Sequence, residues 1–169
     1  MTVLGEILEN GQRVAAHRPW PRVIVNPDGW ESAAFLAADG GCTLIGLWGE
    51  ADAVHMALAV QDPLEIAIVS LPCPDGGFPS VGQHHPPAIR LERAIHDLFG
   101  LVPRGADDSR PWLDHGRWGK RHPLGKSRGD AGMGDPYAFL PVEGESLHQV
   151  PVGPVHAGTI EPGHFRFTA

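Results

Sequence analysis

Apolar and polar residues recur with two different periods in the first hundred residues, which predicts a mixture of helices and strands. Residues 3–16 and 28–38 carry apolar positions at helical spacing. Alternating or β-branched apolar runs predict four strands, at residues 22–26, 42–48, 53–60 and 65–71. The last three strands follow one another with short connections, so we expect an antiparallel meander.

The clearest helix pattern is PPAIRLERAIHDLFG, residues 86–100. Two prolines begin it and Gly100 ends it, which is typical of a helix. An apolar stripe is expected to pack on the sheet, and it consists of Ala88, Leu91, Ile95 and Leu98. Ion pairs between residues four apart are expected on the opposite side, at Glu92–His96 and Arg93–Asp97. The predicted fold class is α+β, a mostly antiparallel sheet of about four strands covered by helices.

Glycine and proline are denser towards the C-terminus: residues 1–99 hold 19 of them, and residues 100–169 hold 20 in a shorter stretch. The second part should therefore be more irregular. Strand character returns in residues 146–152 and 164–169, which predicts an extended C-terminal β-hairpin tail. The predicted division of the chain is a domain, a flexible joint and a tail, at residues 1–128, 129–136 and 137–169.

The composition excludes several classes of protein. A net charge of −7 argues against nucleic acid as the main partner. No apolar run is long enough to span a membrane, and no signal pattern begins the chain, so we expect a cytoplasmic protein. Cys42 and Cys73 are isolated, which predicts free structural thiols and no disulfide scaffold or cysteine-based metal site. The adjacent His84 and His85 are poor ligands for one ion, because neighbouring side chains rarely converge.

The stretch after the long helix is unusually rich in tryptophan and arginine, a mixture that protein interfaces favour. It contains no Ser or Cys nucleophile paired with a base, and no phosphate-binding glycine loop. The sequence predicts a partner-binding surface that consists of Arg93, Asp97, Arg110, Trp112, Asp114, Arg117, Trp118 and His122. A small enzyme using His115 with Asp114 or Asp97 is a weaker alternative.

The segments LERAIHDLFGL and GADDSRPWLDHGRWGKRHPLGK resemble the 30-kilodalton subunit of respiratory complex I, the NADH–quinone oxidoreductase. The matching residues are Glu92, Arg93, Asp97, Phe99, Gly100, Gly105, Asp108, Arg110, Leu113, His122, Pro123, Leu124 and Lys126. The departures are Ala94, Ala106 and Asp107. The resemblance implies a subunit without a cofactor that braces a 49-kilodalton subunit and its electron-transfer path.

The tail PVGPVHAGTIEPGHFRF, residues 151–167, resembles the start of that neighbouring large subunit. Residues matching the complex I form are Gly153, Pro154 and His156. Residues matching the nickel–iron hydrogenase form are Ile160, Glu161, Gly163 and His164. The combination resembles energy-converting hydrogenases of the formate hydrogenlyase type, in which the two subunits are fused. It implies that His156, Glu161 and His164 wall a large-subunit site, with Glu161 as a proton relay only in the full assembly.

These observations predict a structural or assembly part of a membrane-associated redox complex, with no self-contained active site and no metal. The expected partners are a hydrogenase-like or 49-kilodalton-type large subunit and an iron–sulfur subunit. The chain is expected to lie on the cytoplasmic side, peripheral to the inner membrane, either as a piece of a longer polypeptide or as a short product that donates its tail. The tail could also pair two copies of the chain. The rival interpretation is a freestanding protein-binding or assembly module.

Overall fold

The computed structural model describes residues 3–61, 63–134, 143–144, 148–156 and 162–168, in two units that divide between residues 135 and 136. The helices described in the first unit are α1 (Val3–Asn10), α2 (Pro27–Ala38) and α3 (Ile89–Phe99). Its strands are β1 (Gln12–Arg13), β2 (Arg22–Ile24), β3 (Thr43–Gly49), β4 (Ala53–Gln61), β5 (Leu64–Pro72), β6 (Gly77–Pro79), β7 (Val102–Arg104), β8 (Lys120–Arg121) and β9 (Gly129–Asp130).

The main sheet has the strand order β1-β2-β5-β4-β3. Strands β3, β4 and β5 form the predicted antiparallel meander, and β2 lies parallel to β5. The predicted α+β fold class is thus confirmed, with β1 as a fifth short strand.

The predicted helix over residues 3–16 is too long, because α1 ends at Asn10. A side chain at Gly11 would place its Cβ 2.7 Å from Cβ of Val23, so glycine lets β1 approach β2 closely.

The core lies on one face of the sheet, where Met56 pairs with Val69 and both are fully buried. Helix α2 packs Trp30 into this core. Asn26 caps the helix, and its side chain accepts a hydrogen bond from the Gly29 amide at 2.9 Å. The indole N–H of Trp30 donates a hydrogen bond to the Pro79 carbonyl, and this bond joins α2 to the end of β6.

Helix α3 follows a 3-10 turn at Pro86–Ala88 and ends at Gly100, whose φ of 75° is the left-handed conformation typical of a glycine cap. The predicted apolar stripe is partly wrong, because Leu91 is 37% exposed. The neighbouring Glu92, predicted to lie on the polar side of the helix, is buried. The predicted Glu92–His96 and Arg93–Asp97 pairs are replaced by bonds to residues outside the helix.

The second unit contains strands β10 (Gln149–His156) and β11 (Pro162–Thr168), which pair antiparallel. This confirms the predicted hairpin, and its register shifts between Val152 and Val155.

In the first unit, β9 pairs with β8, and the Gly134 amide donates to the Gly116 carbonyl at 2.7 Å. The predicted division of the chain into domain, joint and tail stays a prediction.

Candidate functional site

Helix α3 is fixed on the first unit by a buried carboxylate. Glu92 accepts hydrogen bonds from the Ser80 hydroxyl at 2.8 Å and from the Val81 amide at 2.5 Å. Burial raises the pKa of Glu92, while these hydrogen bonds act in the opposite direction. The sequence pattern places Glu92 on the polar side of the helix, but its partners come from the loop after β6. Helix α3 is therefore a well-anchored platform for the residues that follow it.

Arg93 ties the first part of the following segment to this platform. Its guanidinium donates to the carbonyls of Arg110 at 2.6 Å and Pro111 at 2.8 Å. It also pairs with the Asp108 carboxylate at 3.1 Å. Asp108 is shared with the side chain of Arg110, at 2.7 Å, and this pair holds the pKa of Asp108 well below its usual range. A charged network thus fixes the path of residues 108–111.

Asp97 holds the next three residues. One oxygen, Oδ2, accepts from the backbone amides of Trp112 at 2.8 Å, Leu113 at 2.6 Å and Asp114 at 3.2 Å. Asp97 lies in the last turn of α3, where the helix dipole disfavours negative charge. Three amide dipoles directed at one oxygen offset this effect, and hydrogen bonds to a carboxylate are stronger than neutral ones. Asp97 therefore determines the conformation of residues 112–114.

Asp114 repeats this arrangement one step further along the chain. Its Oδ1 accepts from the amides of Gly116 at 2.9 Å, Arg117 at 3.1 Å and Trp118 at 3.4 Å. Gly116 has a φ of 75°, and a Cβ there would lie 2.9 Å from the Gly134 backbone. The turn therefore requires glycine for both its dihedral angle and its close contact.

His122 closes the segment on the C-terminal end of α3. Its Nδ1 lies 2.8 Å from the His96 carbonyl, and since a carbonyl only accepts, His122 is the donor. The Leu124 amide donates to the Leu98 carbonyl at 2.9 Å. Both carbonyls belong to the last turn of α3, and the His96 carbonyl also accepts from the Gly100 amide at 2.8 Å. We call residues 108–124 the anchored segment, because α3 holds both its ends.

The anchored segment leaves large apolar side chains exposed, while several of its backbone amides bind the carboxylates of Asp97 and Asp114. Trp112 and Trp118 are each 41% exposed, and Leu113 is 40% exposed. The guanidinium groups of Arg90 and Arg93 lie 5.6 Å and 5.2 Å from the Trp112 ring centre, a cation–π geometry that orients the indole. Exposed tryptophan on an ordered backbone is typical of a protein interface. We call the side chains of Trp112, Leu113, Arg117 and Trp118 the docking surface.

The structure divides the eight predicted partner-binding residues into two groups. Those whose polar groups bind the chain's own backbone or side chains are Arg93, Asp97, Arg110, Asp114 and His122. Those that stay exposed without such side-chain bonds are Trp112, Arg117 and Trp118. Contact of either group with a partner stays a prediction. The bonds of Arg93 and Asp97 join residues 15 to 18 apart in the chain, and no local pattern indicates them.

The residues predicted to wall a large-subunit site belong to the second unit. Glu161 lies outside the described residues. His156 ends β10 and His164 lies within β11, near the register shift, and the described part of the chain gives only their backbone. Their role stays a prediction.

An enzyme site built on His115 gains no support from the geometry. A depression of about 320 Å³ is lined by Asp97 and Asp114, but its histidines are His96 and His122, while His115 is exposed elsewhere on the surface. One oxygen of each of these two carboxylates already accepts three backbone N–H groups. The carboxylates therefore hold the segment in position.

Metal-binding side chains do not converge in the described part of the chain, where no three of His, Cys, Asp and Glu could hold an ion. Cys42 and Cys73 are both free and buried, and burial raises the pKa of each thiol to about 11. A thiol with so high a pKa is a poor nucleophile and a poor ligand at neutral pH. Among the helices described, none has the length and hydropathy of a membrane span.

A buried polar cluster on β4 and β5 was not predicted. His55 is 1% exposed, and its Nδ1 lies 2.9 Å from the Ser70 hydroxyl, which also accepts from Arg22 at 2.8 Å. Its Nε2 lies 3.5 Å from the Glu50 carboxylate. Burial lowers the pKa of His55, and the positive charge of Arg22 lowers it further, while Glu50 acts in the opposite direction. Alternation along β4 places His55 on the polar face, but covering side chains bury that face too.

The fold and the anchored segment define an α+β domain that presents tryptophan on a stretch held by its last helix. Residues 23–129, which include the main sheet from β2 onwards and the whole anchored segment, match the family model described as respiratory-chain NADH dehydrogenase, 30 Kd subunit. The chain belongs to this family, as its motifs predicted.

Two curated relatives come from Escherichia coli K12. Hydrogenase-4 component G is 33% identical over 150 residues, covering 82% of this chain and 26% of its own length. Formate hydrogenlyase subunit 5 is 34% identical over 98 residues, covering 53% of this chain and 17% of its own length. The chain thus spans about a quarter or less of these relatives. A solved structure of a trypsin-resistant fragment of Nqo5 shares the fold, with a TM-score of 0.51 at 23% identity over 63% of this chain and 96% of that chain.

Proposed function

We propose that this chain is a non-catalytic bracing domain of a membrane-associated redox complex, of the energy-converting hydrogenase or NADH–quinone oxidoreductase type. The observation that carries the proposal is the family match over residues 23–129, together with two hydrogenase-type relatives. The anchored segment lies within the matched residues and carries the docking surface. Bracing requires a stiff surface and no reactive group, and Asp97 and Arg93 supply that stiffness.

The proposed partner of the docking surface is a large subunit of the hydrogenase or 49-kilodalton type, together with an iron–sulfur subunit of the same complex. Trp112 is the proposed anchor, because aromatic side chains near the centre of an interface contribute most of its binding energy. Arg90 and Arg93 orient its ring before binding, which lowers the entropic cost of association.

The proposed role of the second unit is to supply the first strands of the large subunit, as its resemblance to hydrogenases implies. In this proposal residues 1–128 form the bracing domain, residues 129–136 the joint and residues 137–169 the large-subunit strands, with Glu161 near the reacting metal of the complete assembly. The complex would lie on the cytoplasmic side of the inner membrane, and the chain would touch the membrane only through its partners.

The experiment uses a tagged copy of the chain in the cells that encode it. We expect mass spectrometry to identify a large subunit and an iron–sulfur subunit in the purified material, and the complex to sediment with membranes. Trp112→Ala should weaken the association by about 2 kcal/mol, which corresponds to about thirtyfold in affinity. The matched control is Trp20→Ala, since Trp20 is similarly exposed, at 43%, but lies outside the anchored segment.

Recovery of the chain without any redox subunit would contradict the proposal and favour a freestanding assembly module. Equal loss of partner with Trp112→Ala and Trp20→Ala would show that the docking surface has been assigned to the wrong residues, even if the complex exists.

A further inference from the structure

The region around the docking surface carries a charge opposite to that of the rest of the chain. Residues 110–128 contain six Lys or Arg and one Asp, a net charge of +5 with His neutral, in a chain of net charge −7. The single acid, Asp114, directs one of its oxygens at three backbone amides. Positive charge is therefore concentrated between Arg110 and Arg128, directly after Asp108 at the start of the anchored segment.

Internal ion pairs leave part of this charge uncompensated. Lys120 pairs with Asp130 at 2.7 Å and Lys126 pairs with Asp52 at 2.6 Å, and both pairs are exposed to solvent. Arg117 and Arg121 are exposed and form no ion pair with any residue that the structure describes. An exposed arginine without a partner is available to a carboxylate from outside, and its planar guanidinium can bind both oxygens at once.

We infer that the docking surface binds an acidic patch of a partner protein, in which Asp or Glu carboxylates pair with Arg117 and Arg121 beside the two tryptophans. This inference rests on the proposed function and adds the chemistry of the partner. Arg117 directly precedes Trp118, and Arg121 follows it by three residues. Charge complementarity across an interface raises the association rate and selects against partners of the same sign.

A protein partner fits these charges better than a nucleic acid or an anionic membrane. Outside residues 110–128 the chain has seven Lys or Arg and nineteen Asp or Glu, a net charge of −12. A polyanion large enough to extend past the docking surface meets this negative charge, and its binding is disfavoured. A compact acidic patch on a folded partner meets only the positive region.

The first test is zero-length carbodiimide coupling, which joins an amine to a carboxylate only when the two are in contact. Arg117→Lys and Arg121→Lys keep the positive charge and supply a reactive amine. In the complex purified from the native cells, we expect mass spectrometry to find each introduced amine joined to an Asp or Glu of the large subunit. Arg13→Lys is the control, since Arg13 is exposed on β1, outside the positive region; it should give no such product.

The second test is charge reversal. The double variant Arg117→Glu, Arg121→Glu should lower the affinity for the large subunit by about tenfold or more, whereas Arg13→Glu should change it by about twofold or less. Raising salt from about 0.05 M to about 0.5 M should weaken the native association and have less effect on the reversed variant. Hydrogen exchange of the amides bound to Asp97 should be the same in both variants, which confirms that the segment stays folded.

Two results would overturn the inference and leave the proposed function standing. One is retention of the large subunit by the double variant, with no coupled product, while Trp112→Ala still loses it. The other is a loss confined to binding of phosphatidylglycerol vesicles or of RNA, with recovery of the large subunit unchanged. Absence of the large subunit from every sample, native chain included, would instead contradict the proposed function.

Discussion

Strands β2 to β5 and the anchored segment are held in place by different forces. In the first region the strands pair along their lengths, and side chains such as Met56 and Val69 are fully buried. Burial of apolar area stabilises such a core by about 25 cal/mol per Å². In the anchored segment the backbone binds Arg93 and Asp97 of α3, and the large side chains stay outside.

The comparison shows what charged residues can do on an amphipathic helix. Arg93 and Asp97 look like a solvated pair four residues apart, yet each binds a separate piece of the chain. Hydrogen bonds to charged groups contribute about 1.5–3 kcal/mol each, less than a large buried side chain. The anchored segment should therefore open locally at a lower free energy than the sheet unfolds.

The largest expected effect is in the core. Trp30→Ala should lower the free energy of unfolding by about 3–5 kcal/mol, because it leaves a cavity among fully buried neighbours. Trp30→Phe is the control, since it keeps a ring facing Phe78 but loses the hydrogen bond to Pro79. It should cost clearly less in urea denaturation. A small effect of Trp30→Ala would show that apolar burial is not what holds this region.

A smaller and local effect is expected at Asp97. Asp97→Ala should destabilise the anchored segment by about 2–3 kcal/mol, since three backbone amides lose a charged acceptor. Hydrogen exchange at residues 112–114 should accelerate while the amides of β4 and β5 keep their protection. Asp97→Asn should have an effect between those of the native chain and Asp97→Ala, because its amide oxygen still accepts hydrogen bonds. Asp107→Ala should have no effect, because Asp107 is exposed.

An equal loss of protection throughout the first unit in Asp97→Ala would contradict the contrast between the two regions. It would mean that the segment and the sheet unfold as one cooperative unit.

The smallest effect is a pH dependence from His55. Its pKa in the folded protein is lowered from the usual 6.5 by burial, so the unfolded chain takes up a proton first as the pH falls. Stability should therefore be unaffected by His55 above about pH 6.5 and should decrease below it, by at most about 1.4 kcal/mol per pH unit. His55→Gln should remove this part of the decrease between about pH 6.5 and 5.5 in urea titrations.

The matched control for His55 is His115→Gln, since His115 is an exposed histidine outside the buried cluster on β4 and β5. If stability depends on pH equally in His55→Gln and in the native chain, His55 takes up a proton as easily in the folded as in the unfolded chain. That result would contradict a pKa lowered by burial.

The sequence by itself determined the elements whose signals are local. The meander, α2, α3 with its terminal glycine and the C-terminal hairpin all follow from the spacing of apolar residues and from glycine and proline. Its motifs also determined the family, because the two segments LERAIHDLFGL and GADDSRPWLDHGRWGKRHPLGK carry the matching residues. These features need only neighbouring residues to be specified, and such patterns are visible in one chain.

Only the tertiary structure decided how the charged residues are used. Glu92 is buried because the loop after β6 brings Ser80 and Val81 to it, and Asp97 binds amides fifteen to seventeen residues away. His55 is buried because β4 is covered on both faces. Such partners are set by the three-dimensional path of the chain, and the free energy of a buried charge depends on those partners more than on its own neighbours in sequence.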